Sequence, residues 1–310
     1  MFYLDNEGIH LKETTACPET VQDYAGQKQL AAFEKIEVDL KYGEFSLEEG
    51  DSYSVEYLLA GDREEPVCQV ENGKLIVKEG NSGETQEGNR WYFRLWGEEG
   101  ERRQDAPYVK ITVPKGARLK AVSVDAPWDI DLAGNLFAEK LSVKTSYGEI
   151  KMEDWDGTDL SIYDENGDIK TGNLTGNKVE ITGLYGDLNI GCIESTQASL
   201  EAENGSVTVF AGTQGTLDVK NSYGDTNIYE MQKADAYGYD LRTEYGEIHF
   251  SGYEMMENEN GDAAEYRKQA PGSAVIRVSA ENGDIKIREN VARSTLEETV
   301  AETKSVDEEE

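Results

Sequence analysis

Six acidic residues recur in one sequence context and are the first candidates for chemistry. Glu149, Asp168, Asp187, Asp225, Glu247 and Asp284 each follow a glycine that is itself preceded by Tyr or Asn. Such a series admits three uses: a candidate ligand surface for cationic or hydroxylated groups, calcium bridging, or the acid and base of a glycosidase. Calcium needs about six to eight converging oxygens, and calcium-binding repeat solenoids carry denser Gly-Asp patterns than this one. A glycosidase needs two carboxyl groups facing one another across a cleft, which a single row does not supply. The plain alternative is a solvated row of turn residues. Lys151, Lys170 and Lys286 stand two residues beyond their acidic neighbours, on the same strand face, and are placed to neutralise part of the row.

The other reactive residue types are sparse. There are two histidines, His10 and His249, and the repeats hold no second one to pair with His249 on a metal. His249 reads as a surface residue beside Tyr245 and Glu247. Cys17, Cys68 and Cys192 are odd in number and lack short spacings, so they build neither a disulfide framework nor a zinc site. Cys192 reads as a packed thiol. No nucleophile elbow, phosphate loop or dinucleotide fingerprint is present. The sequence therefore nominates no catalytic residue, no metal site and no cofactor.

What must position the acidic row is a repeat. The glycines at 148, 167, 186, 205 and 224 are each 19 residues apart, and the next gaps, to Gly246 and Gly283, are 22 and 37. Seven and five residues before each glycine stand apolar pairs such as Leu160 with Ile162 and Val179 with Ile181. Two and four residues after it stand pairs such as Ile150 with Met152 and Leu188 with Ile190. Alternation with period two means strands with one buried face. A third apolar site follows in Trp155, Leu174 and Ile193. One such unit holds only a handful of inward side chains and cannot bury them alone, whereas stacked units share a continuous core. The spacing predicts an all-β, single-stranded β-solenoid, or β-helix, with coils of roughly 19 residues. A propeller blade would need about 40 residues.

Turn chemistry sharpens the picture. Asn-Gly admits two positive φ angles, whereas Tyr tolerates them poorly, so Tyr-Gly coils are expected to use a turn with only the glycine left-handed. From 147 to 223 the residue before the glycine alternates Tyr, Asn, Tyr, Asn, Tyr. Each ring either covers the smaller neighbours above and below or serves only the turn.

The pattern extends toward the N-terminus. Ile36, Val38, Tyr42-Gly43-Glu44, Phe45 and Leu47 match the full template, and Asn72 to Val77 matches its second half. Ala121 to Leu132 reads as a coil lacking its glycine, with Val122, Val124, Ile130 and Leu132 inward. Residues 80–106 depart from it: a polar loop runs to Asn89, and Trp91 to Trp96 reads as an aromatic strand that plugs or caps the early coils, with an exposed aromatic binding stripe as the alternative. The domain expectation is a lead segment over 1–30, one solenoid domain with N-terminal capping strands over 31–290, insertions near 80–106 and 251–272, and an acidic disordered tail over 291–310.

The net charge of −33 repels phosphate backbones and anionic lipid surfaces, so no nucleic-acid partner is expected. Met1 to Leu4 is too short and lacks the basic flank of a signal peptide.

The Gly-Asp-Ile turns, with Val113-Pro114 just before the regular repeats, resemble the bacterial putative-adhesin family, domains of unknown function that form single-stranded β-solenoids. The resemblance covers roughly residues 30–290. It implies an extracytoplasmic location, membrane attachment only through an anchor outside this chain, and a link to cell-envelope stress. It implies no catalytic residues. Phe2 to His10 resembles the stretch that follows the anchor in such proteins. The expectation is a non-enzymatic envelope scaffold, adhesin-like or part of a stress response, whose partner is a glycan, a cationic peptide or a protein. A calcium-dependent structural module and a polysaccharide-active β-helix enzyme stand as alternatives.

Overall fold

A computed structural model describes residues 2–5, 8–11, 22–61, 66–79, 107–212, 215–230, 236–250, 263–270 and 272–288. Every regular element among them is a strand, and none of the described residues forms a helix long and apolar enough to cross a membrane. The aromatic segment 91–96, most of the insertions, Cys17 and the acidic tail lie outside the described residues. In chain order the strands are β1 (Phe2–Asp5), β2 (Gly8–Leu11), β3 (Gln22–Gln29), β4 (Lys35–Asp39), β5 (Glu44–Gly50), β6 (Ser54–Gly61), β7 (Val67–Glu71), β8 (Lys74–Lys78) and β9 (Tyr108–Pro114). They continue as β10 (Arg118–Asp125), β11 (Ile130–Thr145), β12 (Ile150–Asn166), β13 (Ile169–Thr171), β14 (Leu174–Tyr185), β15 (Leu188–Asn204), β16 (Val207–Ala211), β17 (Thr216–Tyr223) and β18 (Thr226–Glu230). The last are β19 (Gly238–Tyr245), β20 (Ile248–Phe250), β21 (Ala264–Lys268), β22 (Val275–Asn282) and β23 (Ile285–Arg288). β1 and β2 form an antiparallel pair of their own, and the other 21 strands belong to one hydrogen-bonded network.

The alternating pattern becomes a set of parallel, in-register columns. Before the glycine, Leu141, Leu160, Val179, Ala198 and Leu217 stand opposite one another, as do Val143, Ile162, Ile181, Leu200 and Val219. After it, Ile130, Ile150, Ile169, Leu188 and Val207 form a third column. All are buried, while neighbours such as Lys178 and Glu180 face water. Burying a side chain of this size stabilises by about 1.5–3 kcal/mol, so each coil is held chiefly by its neighbours' apolar surface. The coil without a glycine behaves as expected: Val122, Val124, Ile130 and Leu132 are all buried.

The glycines close one edge of the stack. A Cβ on Gly205 would lie 2.0 Å from the carbonyl oxygen of Gly186, and one on Gly224 would lie 2.2 Å from that of Gly205. Successive turns thus approach more closely than any side chain permits. The Asn-Gly turns do not differ in backbone from the Tyr-Gly turns. Among the described residues the only non-glycine with positive φ is Asn72, at 50°. It joins Gly73 in the turn of the β7–β8 hairpin, which is where two positive φ angles are required.

That hairpin corrects the assignment of Asn72–Val77 to the second half of a coil. Leu75 and Val77 stand opposite Ile36 and Val38, in the first-strand column. The Asn-Gly there is a hairpin turn and not a coil corner.

The coils do not stack in chain order at either end. β4 and β5 lie between the coil of β8 and β9 on one side and that of β10 and β11 on the other. At the far end β22 and β23 lie between the coil of β17 and β18 and that of β19 and β20. Counted in space, the described residues form ten coils, from β8/β9 through β4/β5, β10/β11, β11/β12, β12/β13, β14/β15, β15/β16, β17/β18 and β22/β23 to β19/β20. Antiparallel strands cover both outer coils. β7 pairs with β8, β6 pairs with β9 and in turn with β3, and β21 pairs with β19. An unpaired sheet edge invites association with another chain; these strands pair the outer edges of β8, β9 and β19, while among the described residues β20 pairs only with β23. β3 falls within the expected lead segment and β21 within the expected insertion.

Candidate functional site

The glycine edge carries three side-chain columns, and pairing of the flanking strands sets their order. The acidic row reads, in space, Glu44, Asp129, Glu149, Asp168, Asp187, Ser206, Asp225, Asp284, Glu247. Asp129 belongs to it because Ile130 stands opposite both Phe45 and Ile150. The sequence signal for it was the Asp-Ile pair, masked by Trp128 in the place of a glycine.

The row is a ladder as well as a surface. Asp168 Oδ1 accepts the N–H of Asp187 at 2.9 Å, and Asp187 Oδ1 accepts that of Ser206 at 2.7 Å. Asp129 Oδ1 accepts the N–H of Glu149 at 2.8 Å, Asp225 Oδ1 that of Asp284 at 3.0 Å, and Asp284 Oδ1 that of Glu247 at 3.0 Å. Each short carboxylate therefore ties its coil to the next through a charge-assisted bond. Glu149 does something else: its longer side chain pairs with Lys151 at 2.6 Å and Lys170 at 2.7 Å. Burial pushes its carboxyl up, but the two lysines outweigh that and hold it below its ordinary range. Lys286 plays the same part at the other end. It bonds Asp225 Oδ2 at 2.6 Å and lies 3.5 Å from Asp284, depressing the Asp225 carboxyl while its own ammonium is raised. His249 Nε2 sits 3.3 Å from Glu247 and 3.7 Å from Asp284. The six nominated residues are thus brought together along one edge, with three lysines and a histidine interleaved. Among the described residues no group of three His, Cys, Asp or Glu side chains converges as metal ligands would.

The second column was not nominated as a site. Its tyrosines Tyr42, Tyr147, Tyr185, Tyr223 and Tyr245, together with Trp128 at the turn of the coil between Tyr42 and Tyr147, account for six of the seven large hydrophobic side chains that stand exposed among the described residues; Val67 is the seventh. Tyr185 is 55% exposed and Tyr245 64%, so the rings do not cover their neighbours as a buried cap would. Between them lie Asn166, Asn204 and Asn282. Asn166 Nδ2 donates to the Ser146 carbonyl at 2.9 Å, and Asn204 and Asn282 donate at 3.5 Å to the carbonyls of Leu184 and Ser222. Each asparagine therefore bonds the residue before the tyrosine of the preceding coil.

Beside this column runs an open polar groove on the outer face of the first-strand sheet, lined in part by Thr182, Leu184, Glu201, Glu203, Lys220 and Ser222.

A third column points inward beneath the turns: Thr145, Asp164, Gly183, Ala202, Asn221, Ala280 and Thr243. Its polar members bond turn carbonyls. Thr145 Oγ1 donates to Trp128 O at 3.0 Å, Asn221 Nδ2 to Gly224 O at 2.9 Å, and Thr243 Oγ1 to Gly283 O at 2.9 Å. Asp164 is fully buried, and its Oδ1 accepts the Asn166 N–H at 3.0 Å. Burial, with smaller contributions from Asp168, Glu165 and Asp129, pushes its carboxyl up to about 7.

Among the described residues Cys192 is a buried thiol and Cys68 a partly buried one.

Comparison with known proteins gives a family and a set of distant structural likenesses. The profile of the Toastrack DUF4097 family matches residues 33–288. No curated protein matches the chain. Among solved structures the chain is similar to a putative adhesin from Bacteroides fragilis, at 12% identity over 88% of this chain and 98% of that one, with a TM-score of 0.43. It is similar to a putative adhesin from Parabacteroides merdae at 10% identity, over 86% and 96% of the two chains, with a TM-score of 0.41. It is also similar to a putative lipid binding protein from Parabacteroides distasonis at 13% identity, over 85% and 96%, with a TM-score of 0.37. Since the profile runs over residues 33–288, through the ten described coils, the chain belongs to the Toastrack DUF4097 family.

Proposed function

We propose that this protein is a single-stranded β-solenoid of roughly 19-residue coils, one domain over 31–290, that works as a non-enzymatic ligand-presenting scaffold outside the cytoplasmic membrane, adhesin-like and associated with the cell envelope. One observation carries the reading. The residues available for chemistry are committed to structure, whereas the exposed aromatic surface is gathered on one edge. The row carboxylates accept backbone N–H groups or pair with lysines. Six exposed aromatic side chains stand beside them. A concentrated exposed apolar patch on a polar protein marks a binding surface. The charge of −33 directs that surface away from nucleic acids and anionic lipids.

The test is co-sedimentation of the purified chain with isolated bacterial envelope, alongside a reducing-end assay on neutral and acidic polysaccharides. The expected result is sedimentation with the envelope and no release of reducing ends. Sustained release, abolished by mutating Asp168 and Asp187, would make the protein a polysaccharide-active enzyme. Failure to sediment would remove the envelope role.

A further inference from the structure

The tyrosine column has a period that the chain order conceals. Along the sequence the residue before the glycine reads Tyr147, Asn166, Tyr185, Asn204, Tyr223, Tyr245, Asn282, and the alternation fails at its end. In space Asn282 stands opposite Tyr223 on one side and Tyr245 on the other, so the column reads Tyr, Asn, Tyr, Asn, Tyr, Asn, Tyr. The same holds at the near end. Tyr42 belongs to β4/β5, which is separated from the coil of Tyr147 by the single coil of β10 and β11. Stacked in chain order, Tyr42 would sit three coils from Tyr147 and Tyr245 would sit directly beside Tyr223. The out-of-order stacking at both ends places all five tyrosines, Tyr42, Tyr147, Tyr185, Tyr223 and Tyr245, on every second coil. At a strand spacing of about 4.8 Å the rings recur at about 9.6 Å and span roughly 38 Å along the axis.

From this ladder we infer a ligand class: one extended, uncharged, β-linked polysaccharide strand lying along the solenoid axis, with alternate sugars on successive tyrosines. In an extended β-1,4-linked chain each sugar is flipped relative to the last, so the same face recurs every second unit, at a distance close to two coils. Aromatic rings offer an apolar face with a polar tip, which suits the C–H face and hydroxyl rim of a pyranose. The groove alongside presents hydroxyl, carboxylate and ammonium groups at Thr182, Ser222, Glu201, Glu203 and Lys220 to the sugar edges. The acidic row next to the rings excludes anionic glycans by charge. Trp128, 50% exposed and 6.1 Å from the Tyr147 ring, adds a second aromatic surface near one end. The reading deepens the ligand-presenting role proposed above and rests on it.

Repetition dictates how binding should scale. A sugar pair on one ring binds weakly, and each further ring engages at the effective concentration set by the first. The test measures affinity of the full chain for cello- and chito-oligosaccharides of increasing length, with a helical α-glucan, an anionic polyuronate and an oligolysine peptide as controls. Affinity should rise in steps of two sugars, be insensitive to salt, and be absent for the α-glucan and the polyuronate. Tyr185→Ala with Tyr223→Ala removes two exposed rings and should weaken binding about tenfold for each, with an unchanged circular dichroism spectrum. Asn204→Tyr, which inserts a ring out of period, should bring no gain. No binding to either β-linked series, equal binding by the double variant, a gain from Asn204→Tyr, or salt-sensitive binding to oligolysine alone would each overturn the inference. If envelope binding then survives in the tyrosine variant, the scaffold reading stands and only the glycan assignment falls.

Discussion

The central coils and the two ends of this solenoid follow different rules. From Leu141 to Tyr223 each coil stacks on the one before it in the chain, 19 residues earlier, and the pairing could be drawn from the sequence alone. At each end a coil is interleaved out of order. The chain-first coil, β4/β5, and the chain-last coil, β22/β23, are both covered on two sides. The outermost coils are supplied from inside the chain and are covered in turn by antiparallel strands. Interleaving places β4/β5 and β22/β23 inside the stack, where both edges are paired. The cost is one longer connection at each end, and loop-closure entropy grows only slowly with length.

The largest expected effects test whether the two regions are equally well held. Ile169 in the centre and Ile285 in the interleaved coil are both fully buried. Changing either to Asp places an unpaired charge in the core, and each should cost more than about 4 kcal/mol in denaturant unfolding. Hydrogen exchange sharpens the comparison. Amides of 276–287 should be protected as strongly as those of 179–190, and more strongly than those of 239–248 in the outer coil. Faster exchange in 276–287 than in 239–248 would refute the interleaved order.

Next in size is the contrast between two glycine turns. A Cβ on Gly205 would meet the Gly186 carbonyl oxygen at 2.0 Å, whereas nothing lies within 4 Å of one on Gly73. Both have positive φ. Gly73→Ala should cost only the backbone strain, about 1–2 kcal/mol. Gly205→Ala must also push two coils apart and should cost at least twice as much. Equal melting temperatures for the two variants would show that the central turns are not close-packed.

Asp164 gives a pH-dependent prediction. Its carboxyl is raised from 3.8 to about 7. Between those limits the folded protein holds a proton that the unfolded chain has released, so stability falls as pH rises through the window and is flat above it. Asn221 occupies the same column and shows what fits, its amide donating to the carbonyl three residues on. Asp164→Asn should therefore stabilise the protein by about 2 kcal/mol at pH 8, with the gain shrinking toward pH 5. A variant less stable than the parent at pH 8 would contradict the burial of that charge.

The smallest effects concern the row itself. Asp168→Asn keeps an oxygen for the Asp187 N–H and should change stability by less than about 1 kcal/mol. Millimolar calcium, magnesium and sodium chloride of matched ionic strength should all raise the melting temperature slightly and similarly, by screening. A calcium-only shift, lost on mutating Asp168 and Asp187 together, would identify a specific site stabilising by mass action.

Much of this was legible in the sequence because it depends on local periodicity. Leu160 and Ile162 alternate with polar neighbours, so their burial could be read without knowing what lies beside them. The Gly column could be read from spacing, and the inward face of the coil around Val122 and Ile130 survived the loss of its glycine. The hydrogen bonds of the row were hidden. Asp168 and Glu149 occupy equivalent slots, yet Asp168 accepts a backbone N–H of the next coil whereas the side chain of Glu149, one methylene group longer, pairs closely with Lys151 and Lys170. The Asn72-Gly73 turn was misplaced because a hairpin turn and a coil corner share the same two residues.

What the sequence determined by itself was the inward faces of each coil, the glycine edge and the family. What only the tertiary structure decided was the order of the coils. The physical reason is that every coil presents nearly the same apolar columns and the same backbone edges, so any coil is an acceptable neighbour for any other. The choice falls to connections and edge strands far apart in the chain. That choice turned a broken Tyr–Asn alternation into an unbroken one, and with it gave the molecule its regular aromatic edge.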